Sequence, residues 1–180
     1  EDEIDPAQTD DDYPQKLFSP IIWTGDGSTK SITGLGFQPD WVWIKERSSA
    51  STWASYDSTR GNTNVLGMAN TTAAQYSQSA DPGLEAFGTD GFTVDYPNTG
   101  DYYINRSSQT YVAWTWRANG GTTSTNSNGS TDSTVQVDPS GHFSIVKFEG
   151  QNDSWGNAET IGHGLSSAPT CMILKNYDKV

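Results

Sequence analysis

Apolar positions along the chain gather in short runs bounded by Gly, Pro, Asn, Asp or Ser. The runs are "LFSPIIWTG" (17–25), "DWVWIKE" (40–46), "TWASYD" (52–57), "FGTDGFTVDY" (87–96), "QTYVAWTWR" (109–117), "HFSIVKFEG" (142–150) and "TCMILKN" (170–176). Short, bounded runs rich in β-branched and aromatic residues predict strands. Asp90-Gly91 predicts a hairpin turn between two apolar stubs. Helical periodicity is confined to "NTTAAQYSQ" (70–78), enough for one or two turns. With no ten-residue helix between the runs, the pattern predicts an all-β chain, an antiparallel β-sandwich, over any βαβ arrangement.

Within the two strongest runs the alternation assigns faces. Trp41, Trp43 and Lys45 share one side of their strand, with Val42 and Ile44 on the other; Val112, Trp114 and Trp116 oppose Tyr111 and Ala113. Both strands are apolar on both faces. That suits a central strand covered by a second sheet on one side and by loops or a subunit on the other. Trp41, Trp43, Trp114 and Trp116, with Trp23, are therefore expected in the core.

The chain divides into four segments. Residues 1–16, with seven acidic residues, two prolines and no periodicity, form an acidic arm, either solvated or ordered on a neighbouring subunit. Asp10, Asp11 and Asp12 within it supply oxygen ligands for calcium but lack the Asp-x-Asp-x-Asp-Gly spacing of a calcium loop. Residues 17–121 form the β-sandwich module. Residues 122–134, almost wholly Gly, Ser, Thr and Asn, read as a flexible linker. Residues 135–180 read as the first strands of a second, similar copy.

An internal repeat supports that copy. "FSPIIWTG" (18–25) aligns with "FSIVKFEG" (143–150), and "GLGFQPDWVWIK" (34–45) with "GLSSAPTCMILK" (164–175). Both copies keep a Gly-Leu-x-x-x-Pro turn and a closing Lys. A half-copy leaves an open sheet edge. Either the protein continues past Val180, or the last strands cap the first module.

Composition narrows the function. Leu, Ile, Val and Phe make only 29 of 180 residues, beside a formal charge of −12, but seven Trp and eight Tyr supply the missing apolar area. Ten scattered Lys and Arg in an acidic chain argue against nucleic-acid phosphates and anionic membranes as partners. The single cysteine, Cys171, excludes a disulfide framework within the chain and, inside an apolar run, predicts a buried, inert thiol.

Catalytic chemistry finds little support. His142 and His163 are the only histidines, no Gly-x-Ser-x-Gly elbow is present, and His163 falls in a turn. "TGDGSTKSITGLG" (24–36) reads as a hairpin loop, since it lacks the ending of a phosphate-binding loop and leads into a strand. Glu46, Glu85, Glu149 and Glu159 leave open a glycosidase's paired carboxylates. Recognition falls instead to aromatics beside polar turns. Trp53, Tyr56, Tyr96, Tyr102, Tyr103 and Trp155 are candidates for glycan or subunit contact. The loop "YPNTGDYYINRSS" (96–108) adds Asp101, Asn105 and Arg106 as hydrogen-bonding partners.

The ordered motifs "LGFQPDWVWIKERSSASTWASYDSTRG", "NTTAAQYS", "FGTDGFTV" and "TYVAWTWRANGG" resemble a module of structural proteins from marine tailed bacteriophages, of the tail-fibre or virion structural kind. The resemblance covers roughly residues 17–121, and the segment from Ser144 to Lys175 resembles the start of a companion copy. It implies a concanavalin-like or laminin-G-like jelly roll in an extracellular virion. It also implies a non-enzymatic role in assembly and host-surface attachment, without cofactor, with copies of itself, other virion subunits and host glycan as partners. Capsid decoration and glycan depolymerisation are the alternatives.

Overall fold

The computed structural model describes residues 13–51, 53–68, 74–78, 83–96, 104–150 and 158–178. It is an antiparallel β-sandwich extended by a further small sheet. The strands are β1 (Phe18–Thr24), β2 (Lys30–Thr33), β3 (Trp41–Glu46), β4 (Ala54–Asp57), β5 (Asn64–Gly67), β6 (Tyr76–Ser77), β7 (Leu84–Gly88), β8 (Gly91–Val94), β9 (Thr110–Trp116), β10 (Ser124–Asn126), β11 (Ser133–Val137) and β12 (Ser144–Phe148). A six-stranded sheet runs β1-β9-β3-β4-β5-β6, and a three-stranded sheet runs β2-β8-β7. A third, three-stranded sheet runs β10-β11-β12.

The two larger sheets enclose one core. Trp23, Val42, Ile44, Ala54, Tyr56, Val65, Tyr111 and Ala113 enter it from the six-stranded sheet; Ile32, Leu84, Phe92 and Val94 enter from the other, with Leu35, Phe37 and Ile104 closing it from loops. Trp23 stacks on Tyr111 with ring centroids 5.2 Å apart and meets Phe92 edge-on at 5.9 Å. β3 and β9 are central strands, as their two apolar faces require. β1 is an edge strand, and Pro20 fits there because an edge position tolerates a missing N–H donor. The β7–β8 hairpin closes at Gly88↔Gly91. A Cβ at Gly91 would run into the Ile32 carbonyl of β2, so glycine is required by close approach.

Several expectations are corrected. The stretch 122–134 is no free linker, since Ser124–Asn126 pairs with Ser133–Val137; its backbone groups find ladder partners that its polar side chains do not advertise. In place of a helical turn near residue 76, Tyr76–Ser77 pairs with β5. The loop 24–36 contains β2, paired along its length with β8. The segment expected as a strand at 170–176 forms none, and Cys171 is exposed, because no strand among the described residues pairs with it.

Two buried carboxylates hold the connections. Asp40, fully buried, accepts four hydrogen bonds: Ser58 Oγ (2.6 Å) and the Gly121 N–H (2.9 Å) on Oδ1, and the Ala118 (2.7 Å) and Gly120 (3.0 Å) N–H groups on Oδ2. Gln136 of β11, also fully buried, accepts from the Asn119 and Gly121 N–H groups and donates to Ser58 Oγ and Thr59 Oγ1. The β10-β11-β12 sheet is thereby bonded to the first module. Asp138 organises the next turn by accepting from the N–H groups of Ser140, His142 and Phe143 and from the Ser140 hydroxyl.

Candidate functional site

The alternation of β3 and β9 places tryptophans on the face of the six-stranded sheet that turns away from the core. Cross-strand register sets Trp41 opposite Trp116 and Trp43 opposite Trp114, and Phe18 of β1 opposite Trp116 on its other side. Directly opposed side chains are close enough to pack, so these pairs dictate a continuous aromatic surface. Trp41 and Trp116 stack with centroids 4.2 Å apart and planes 23° from parallel. Trp43 stacks on Trp41 at 5.7 Å and leans on Trp114 at 5.9 Å. Trp53 joins by stacking on Trp114 at 5.5 Å, and Phe18 packs on Trp116 at 5.0 Å.

The turn held by Asp138 adds the last ring. Phe143 lies over Trp41 at 6.1 Å with planes 3° apart, and over Trp116 at 6.3 Å. Burial of the Asp138 carboxyl, which alone would raise its pKa, is outweighed by the Ser140 hydroxyl and the N–H groups of Phe143, Ser140 and His142, and the group is held below the ordinary aspartate value. It stays ionised at neutral pH and keeps the Phe143 turn closed.

These tryptophans are half-buried against one another, with Phe18 36% and Ile22 66% exposed beside them. Of the five tryptophans expected in the core, only Trp23 reaches it; Trp41, Trp43, Trp114 and Trp116 pave the outer face. Period-two alternation separates the faces without saying which one meets the second sheet. The indole N–H of Trp41 donates to Ser55 Oγ at 2.8 Å, whereas the buried Trp43 indole nitrogen has no protein partner. At the rim, Asp57 binds the Arg60 side chain at 2.5 Å, and Arg60 also donates to Gln75 Oε1 at 3.0 Å.

The predicted contact residues scatter. Trp53 joins the outer face. Tyr56 is fully buried, its hydroxyl donating to Gln78 Oε1 at 2.8 Å, because it alternates with Ser55 toward the core. Asn105 is also fully buried and left-handed (φ 63°); its side chain donates to Asp26 Oδ1 and the Ser28 carbonyl, fastening the 25–28 turn. The Ser28 N–H first, then the Lys30 ammonium, with smaller help from the Ser28 hydroxyl and Asn105, draw the exposed Asp26 carboxyl down to about 2 against a small opposing desolvation. Arg106 is half-buried, its N–H bonded to the Tyr111 hydroxyl at 3.0 Å. Tyr96 is half-buried in the segment that follows β8. Asp101, Tyr102, Tyr103, Trp155 and Asp10, Asp11 and Asp12 lie outside the described residues.

Among the candidate carboxylates, Glu46 points inward, 2% exposed, and one of its oxygens accepts from the Ser48 and Ser49 hydroxyls. His163 caps its own turn, with Nδ1 accepting the Leu165 N–H at 3.1 Å.

A family model described as Domain of unknown function (DUF7483) matches residues 13–180. The chain belongs to that family. The DUF7483 match takes in the tryptophan face, the turn at 118–121 that Asp40 and Gln136 both bind, and the β10-β11-β12 sheet together. No curated protein and no solved structure matches the chain.

Proposed function

We propose that the chain is a non-enzymatic structural module of a phage particle, part of a tail fibre or fibre-like appendage, whose tryptophan-paved outer face makes the contact with host-surface glycan. The virion setting rests on the motif resemblance. The contact surface rests on one observation: six aromatic side chains, Phe18, Trp41, Trp43, Trp53, Trp114 and Trp116, joined on one outer sheet face beside exposed Ile22. Aromatic surface of this kind takes the apolar faces of sugar rings. The face runs across the three neighbouring strands β1, β9 and β3, which suits an extended polymer presented on a cell. Repetition of the module along an appendage multiplies a weak contact into avidity.

The test has two arms. Gold-labelled antibody against the module should decorate the tail appendage in electron micrographs of particles. Host polysaccharide should quench the tryptophan fluorescence of the wild-type module and bind Trp53→Ala at least about tenfold more weakly, with no reducing sugar released. Labelling of the capsid shell would replace the fibre assignment with decoration. Absence of binding across host glycans would refute the attachment role, and sugar release lost on carboxylate substitution would refute the non-enzymatic one.

A further inference from the structure

The two repeats can be compared strand by strand. β1 corresponds to β12 through Phe18 and Phe143, and β3 corresponds to residues 171–175 through Trp41 and Cys171. In the first module β1 and β3 are not neighbours; β9 lies between them and pairs with both. In the second, β12 pairs with β11 along one edge, and no strand among the described residues pairs along the other.

Residues 171–175 are reached through the same turn as β3, with Gly34 and its counterpart Gly164 both at positive φ, 97° and 78°. The burial is inverted. Val42 and Ile44 of β3 are 0% and 2% exposed, while their counterparts Met172 and Leu174 are 83% and 79% exposed, with Ile173 between them at 55%. Tyr177, two residues beyond the segment, reaches both β12 and the residue before β6. The Tyr177 carbonyl accepts the Gln75 N–H at 2.8 Å, and Lys147 of β12 lies over the Tyr177 ring at 5.9 Å. An unpaired strand edge beside three consecutive exposed apolar side chains is a surface that accepts an added strand.

We propose that β12 and residues 171–175 form an acceptor slot for one extended strand of the β9 type, donated by a further copy of this repeat. The first module supplies the register. Ala113 pairs with Ile21 on one side and Ile44 on the other, so the donated counterpart of Ala113 falls between Val146 and Leu174. A small apolar residue fits there, and a charged one is excluded by the apolar flanks. The slot gives each repeat a docking point for the next, and it rests on strand order, register and the exposed side chains of 172–174, independent of any glycan.

The test appends a second copy of residues 109–117 to the whole chain through a flexible Gly/Ser linker, which raises the local strand concentration to roughly millimolar. Hydrogen exchange should then slow by about tenfold or more at residues 144–148 and 171–175. An appended strand carrying Ala113→Pro, which loses a ladder donor, should give no slowing. Leu174→Asp, at an exposed position and so without effect on the far-ultraviolet circular dichroism, should abolish it. Unchanged exchange in the tethered chain, equal slowing with the proline strand, or slowing confined to other segments would overturn the proposal. So would a light-scattering dimer protecting only 144–148, which would assign the β12 edge to self-pairing.

Discussion

Replacing Asp40 by asparagine tests how the turn at 118–121, to which Gln136 of β11 also binds, is held at the start of β3. The carboxylate is fully buried and accepts four hydrogen bonds, two on each oxygen. Asparagine can keep the Ser58 and Gly121 donors on its carbonyl oxygen. Its amide nitrogen then faces the Ala118 and Gly120 N–H groups, donor against donor. Two charge-assisted bonds at about 1.5–3 kcal/mol each are lost, a gross cost of about 3–6 kcal/mol. Burying a neutral amide in place of a charge returns a part of that, leaving a net loss of about 2–4 kcal/mol. Against a typical total of about 5–15 kcal/mol this is large. Urea denaturation followed by tryptophan fluorescence should show the lower midpoint at an unchanged slope. Amide exchange at Ala118 and Gly120 should accelerate before that of β3. A loss under about 1 kcal/mol with both amides still protected would contradict this account, because the Asp40 bonds would then be dispensable.

Two further outcomes concern Trp41 and Tyr111. Trp41→Ala removes the stack on Trp116, its contacts with Trp43 and Phe143, and the bond to Ser55; a half-buried indole of this kind should cost about 2–4 kcal/mol and flatten the near-ultraviolet circular dichroism, while a loss below about 0.5 kcal/mol would show the face to be unneeded for stability. Burial first, and then the charge of Glu46, push the Tyr111 hydroxyl up to about 12 despite the lowering by the Arg106 N–H. Its raised pKa contributes stability that is complete below the free tyrosine value near 10 and is lost as pH rises toward about 12. Phenolate absorbance should therefore include a late step coupled to unfolding that Tyr111→Phe removes; titration of every tyrosine near 10 with the fold intact would contradict it.

Much of the sandwich was legible in the apolar runs. Six of the seven predicted strand runs contain strands, and the double apolar character of β3 and β9 correctly placed them at the centre of a sheet. The candidate site was less legible. Tyr56 and Asn105 sit beside polar turn residues, a pattern that signals exposure, yet both are fully buried, with the Tyr56 hydroxyl donating to Gln78 and the Asn105 amide nitrogen to Asp26 and the Ser28 carbonyl. Trp53 was marked by the same pattern and does stand on the aromatic face.

The order of residues alone sets which side chains share a face and that the Gly-Leu-x-x-x-Pro pattern of 34–39 recurs at 164–169. Which face lies inside is settled by packing. Trp41, Trp43, Trp114 and Trp116 are as apolar as Val42, Ile44 and Ala113, so periodicity cannot rank them; the β2-β8-β7 sheet covers the second set and leaves the tryptophans outward. Pairing also selects which extended segments become strands. Ser124–Asn126 has poor strand character and becomes β10 because β11 lies beside it, whereas Cys171 to Lys175 has good strand character and forms none. A helix satisfies its own backbone, but a strand must be completed by a neighbour, and the neighbour is a property of the fold.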